Sequence, residues 1–154
     1  MRGFTFIELL MTLAIMAVLA MVTVPMAQLM SQRAKEHDLR QALAEIRRGL
    51  DAHKRAAEMG RIELKLGESG YPKSLMDLVE GVPDQRSPTR QKIYFLRSLP
   101  RDPMYPDSQT PAEKTWATRS YQSPPDDPAE GDDVFDVRSL SEGTGLNGVP
   151  YKQW

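Results

Sequence analysis

One carboxylate stands out for its position. Glu8 is the only charged side chain between Arg2 and Arg33, and it sits at the head of an apolar run from Leu9 to Met30. A carboxylate at the middle of a membrane helix costs about 2.5–3.5 kcal/mol on insertion scales, less near the interface, so it calls for a cationic partner. The chemistry expected of Glu8 is ion pairing in a water-poor setting, where a pair selects register more than it adds stability. Other reactive groups are sparse. There is no cysteine, which excludes a disulfide framework and a thiolate metal site and leaves the redox compartment open. The two histidines, His37 and His53, have no metal or acid–base spacing and read as surface residues. No Ser-His-Asp set and no pair of catalytic carboxylates stands out, nor does a phosphate-binding Gly-rich loop. No enzymatic activity is therefore expected.

These residues need elements to hold them. Leu9 to Met30 is long enough to cross a hydrocarbon core of about 30 Å as a helix, and Leu, Met and Ala favour that helix. A secretory signal peptide fits poorly, because the run exceeds the usual h-region and carries Glu8 near its start. A plain one-pass anchor leaves Glu8 without a partner. Pro25 lacks an N–H and would clash with the Met21 carbonyl, so a kink or local opening is expected there.

Beyond the run, Leu39, Leu43, Ile46 and Leu50 recur at helical spacing, and the stripe continues to Ala57. The opposite face, with Arg40, Arg47, Arg48, Asp51 and Arg55, reads as a solvated face or as a contact with neighbouring subunits. Ser74–Glu80 reads as a short amphipathic helix stopped by Gly81 and Pro83. Lys92–Leu96, Thr115–Tyr121 and Val134–Ser139 read as strands, and 122–133 as an acidic, solvated loop. The 154 residues suit one small domain plus one added element. The fold class is α+β: a long N-terminal helix, membrane half plus amphipathic half, packed on a small antiparallel sheet. A net charge near −1 gives no sign of a nucleic-acid partner.

The string Gly3-Phe4-Thr5-Phe6-Ile7-Glu8-Leu9-Leu10 resembles the processing site of type IV pilins and type II secretion pseudopilins. Glu8 and Pro25 lie in the register where that family places its glutamate and, often, a proline. The resemblance implies a pilin-like fold with a leader at 1–3, a transmembrane and filament-core helix at 4–30 and a periplasmic globular domain at 31–154. It implies cleavage between Gly3 and Phe4 by prepilin peptidase, N-methylation of Phe4, and assembly contacts through Glu8 and Pro25. A residue without Cβ, such as Gly3, lets a protease approach the backbone closely. The implied setting is the bacterial inner membrane, spanned once. The positive-inside rule points the other way, because Arg33, Lys35 and Arg40 follow the span; the resemblance implies that the globular part lies outside the cytoplasm.

Tyr71-Pro72, Leu99-Pro100-Arg101-Asp102-Pro103 and the ending from Phe135 to Trp154 resemble the G-type, major pseudopilin group of type II secretion. The implied partners are further copies of the chain in a helical homopolymer, minor pseudopilins, prepilin peptidase and the inner-membrane secretion platform. A type IV pilus or DNA-uptake pilin is the alternative. The G-type group usually binds calcium in its last loop through a serine and paired aspartates. Ser139 matches the serine, but the paired aspartates have no counterpart. Glu142 and Asn147, with Asp136, are the remaining oxygen donors, too few for a site that wants six to eight. No cofactor and no metal is expected.

Overall fold

The computed structural model describes residues 4–154 and, of Val22, the backbone alone. The chain divides into two compact units, Met1–Lys35 and Glu36–Trp154. The α+β class holds. Helix α1 runs Phe6–Glu58. Then follow α2 (Asp77–Glu80), β1 (Val82–Pro83), β2 (Lys92–Ile93), β3 (Trp116–Arg119) and β4 (Asp136–Ser139), with 3₁₀ turns at Ala112–Thr115 and Tyr151–Gln153.

In the first unit, α1 passes through Pro25 without a break in the helix. Two residues upstream, the Thr23 hydroxyl donates to the Leu19 carbonyl at 3.0 Å. The helix contains a stretch long and apolar enough to cross a membrane, and every described side chain from Phe4 to Met30 is exposed.

In the second unit, α1 supplies the core. Leu39, Leu43, Ile46 and Leu50 are buried and pack with Leu75, Leu78, Leu96, Trp116, Val134, Val137 and Tyr151. Gly49 sits in this stripe because a Cβ there would come within 3.2 Å of Leu96 and 3.4 Å of Leu78; the close approach offsets the cost of glycine in a helix. The helix stops where Gly60 takes φ +68°. Gly60 N–H donates to Ala57 and Arg61 N–H to Ala56, the paired bonds of a Schellman ending.

The single small sheet expected from the sequence is instead two antiparallel pairs, β1–β2 and β3–β4. In the second pair Trp116 faces Ser139 and Thr118 faces Val137, which turns Trp116, Val137 and Ser139 to the core by strand alternation. The strands are shorter than their apolar patterns. Val82 pairs with Ile93 and Pro83 with Lys92, and Pro83 has no N–H with which to extend the ladder. Helix α2 covers only the end of the expected Ser74–Glu80 segment. Asp77 N–H donates to the Ser74 hydroxyl, and the Asp77 carboxylate accepts the Ser74 and Lys73 N–H groups, a reciprocal cap on one short turn.

Two surface assignments change. His53 is buried, its Nδ1–H donating to the Gly70 carbonyl at 2.9 Å. Arg47 leaves the solvated face. It donates to Asp136 at 2.8 Å, to the Val137 carbonyl at 3.2 Å and to the Trp154 carbonyl at 2.8 Å. Because Ile46 is fully buried, Ile46→Ala is expected to cost about 2–5 kcal/mol. Thermal unfolding of the full chain in detergent micelles, followed by tryptophan fluorescence, reads this as a lowered melting temperature.

Candidate functional site

The N-terminal residues form a small, ordered polar head on an apolar helix. Glu8 N–H donates to the Thr5 hydroxyl at 3.3 Å, and Thr5 N–H reaches back to Glu8 Oε2 at 3.5 Å. This is the geometry of a capping box, with two otherwise unpaired donors satisfied in return. An anionic side chain in the first turn also meets the positive end of the helix dipole. The structure thus holds the Glu8 carboxylate in the first turn of α1, at the end that adjoins Phe4. Sequence reasoning gave Thr5 no role, although Thr5-x-x-Glu8 is itself a capping signature. Phe4 is exposed. Gly3 and the bond proposed for cleavage begin outside the described residues. Pro25 lies on the same helix, far along the chain from this head.

The oxygen donors considered for calcium are not poised for it. Ser139 is buried; its hydroxyl donates to Asp102 at 2.5 Å and accepts Ser141 N–H at 3.0 Å. Asn147 Oδ1 accepts Val149 N–H at 3.1 Å, and Glu142 is exposed. Asp136 is engaged by Arg47 at 2.8 Å. Among the described residues there is no group of three or more His, Cys, Asp or Glu side chains able to hold a metal. The donor set does not fit the ion.

Asp102, Glu36 and His53 are three of the buried polar residues. Asp102 is fully buried, accepting Met104 N–H at 2.7 Å besides the Ser139 hydroxyl. Glu36 is buried and accepts the Leu146 N–H and the Tyr151 hydroxyl. His53 is the third. Glu36 and His53 carried a readable signal: Glu36, Leu39, Leu43, Ile46, Leu50, His53 and Ala57 are all in phase on one helix face. A charged residue in step with an apolar stripe is a candidate for burial.

His53 lines a cavity of about 770 Å³ between segments 62–73 and 120–133. Burial pushes its pKa below the usual 6.5, against the Gly70 carbonyl and Asp77, which favour the charged ring. Burial pushes the pKa of Asp133, which lines the same cavity, upward toward the neutral acid. The hydrogen bonds from Ser69, Ser120 and the Tyr121 N–H outweigh burial and lower the pKa.

A histidine with a depressed pKa binds its proton more weakly folded than unfolded. Its contribution to stability is complete above the unfolded value of 6.5 and is lost as pH falls from there through the lowered folded value. The melting temperature should therefore decline on acidification below about 6.5, before the carboxylates titrate. A pH series of melting curves checks this, and His53→Gln should flatten that part of the profile.

Residues 1–24 match the family model described as the prokaryotic N-terminal methylation motif. No curated protein and no solved structure matched the chain. The motif covers Gly3, Phe4, Thr5 and Glu8 and stops one residue short of Pro25. It is the signal of a type IV pilin-like substrate of prepilin peptidase, and it supports the type IV pilin superfamily.

Proposed function

We propose that the chain is a structural, non-enzymatic subunit of a type II secretion pseudopilus. Prepilin peptidase cuts it after Gly3 and methylates Phe4. The apolar part of α1 holds it in the inner membrane, with the globular part in the periplasm, until the secretion platform extracts it into a filament of like copies and minor pseudopilins. The observation that carries this reading is the pairing of a methylation motif with a helix whose described apolar side chains are all exposed from Phe4 to Met30. At about 1.5–3 kcal/mol for each large apolar side chain buried, that surface favours lipid or other helices over water. Glu8 then pairs with the Phe4 amine of a neighbouring copy, or with its own before assembly.

The choice of a secretion pseudopilus over a type IV pilus rests on the resemblance of the later motifs. Asp102 of the Leu99–Pro103 turn is buried against Ser139, which gives that turn a structural purpose. A secretin gene and a secretion ATPase gene beside this one would support the pseudopilus; a pilus operon would overturn it.

Glu8→Ala is expected to insert and be cleaved yet fail to enter filaments when it is the sole copy. Immunoblots of membrane and sheared-filament fractions check this, and normal filaments from Glu8→Ala alone would overturn the pairing role.

A further inference from the structure

The last loop of the chain, 139–154, closes around a carboxylate. Glu36 Oε1 accepts the Leu146 N–H at 2.8 Å and the Tyr151 hydroxyl at 3.0 Å, and Glu36 is 4% exposed. Arg40 stands 3.9 Å from the other carboxylate oxygen, with its guanidinium 4.4 Å over the Trp154 ring. The loop is shaped for this. Gly145 N–H donates to the Val149 carbonyl at 2.9 Å. A Cβ on Gly145 would lie 2.5 Å from Trp154 and 2.7 Å from Asn147, so only glycine fits there.

We propose that Glu36 is the positioning residue for this loop, and that the loop keeps its fold without the calcium implied by the resemblance to G-type pseudopilins. The argument is one of polarity. A calcium loop turns oxygens toward a cation. This loop turns an N–H and an O–H toward a carboxylate, so it presents hydrogens there and not the lone pairs a cation needs. Two of the oxygens that might have served a metal are engaged elsewhere: Ser139 with Asp102 and Ser141, and Asn147 with Val149. Buried charge persists where hydrogen bonds meet it, and here the loop itself provides them. This inference stands whether or not the chain enters a secretion filament.

Hydrogen exchange on the full chain in detergent micelles tests it, with chelator and with millimolar calcium. The Leu146 amide is expected to show the same protection in both. Protection lost in chelator, or gained with calcium, overturns the proposal. Glu36→Gln keeps the shape and one acceptor oxygen but removes the charge. It should speed Leu146 exchange on the order of tenfold, the loss expected for a hydrogen bond to a charged group, while the Leu50 amide in the core of α1 is unchanged. Tyr151→Phe keeps the ring, removes one donor and should speed the same amide less. Unchanged Leu146 exchange in both variants overturns the role of Glu36, and the wild-type comparison decides the calcium question even if a variant fails to fold.

Discussion

An uncovered apolar surface is the constraint on which the rest depends. From Phe4 to Met30 no described side chain is buried within the chain. Such a surface is tolerated only in lipid or against other helices. The backbone of a helix satisfies its own polar groups, which makes this form stable where water is absent. One charge accompanies the surface, and it sits at the end of the helix where Thr5 and the helix dipole receive it.

The second unit solves a different problem. It has little sheet: two pairs of short strands. Its loops are instead tied by carboxylates that accept backbone N–H groups. Glu36 holds Leu146, Asp84 holds Arg86, Asp102 holds Met104 and Asp133 holds Tyr121. Hydrogen bonds to charged acceptors are stronger than neutral ones. Arg61 reinforces Asp84 at 2.6 Å and lowers its pKa. The amphipathic half of α1 provides the apolar face against which these loops pack.

The helix was legible because its signal is local and periodic. Leu39, Leu43, Ile46 and Leu50 mark a face without help from distant residues. The methylation motif was legible for the same reason, since Gly3, Phe4 and Glu8 lie within one short string. The partners of Glu36, Asp102 and Arg47 were not, because they lie far along the chain: Leu146 and Tyr151, Ser139, and Asp136 and Trp154. His53 was misread for want of attention to phase. The strands were overextended because alternation marks burial but does not count hydrogen-bond donors. The engagement of Ser139 by Asp102 and of Asp136 by Arg47 was hidden for the same reason of distance.

The central claim is that the N-terminal segment is a processed and methylated assembly element. The intact mass of the chain extracted from the membranes of its own bacterium tests this most directly. The expected species begins at Phe4 and carries one methyl group on its amine. A chain that still begins at Met1, or one cut after Ala17 or Ala20 as a secretory signal peptide would be, would contradict it.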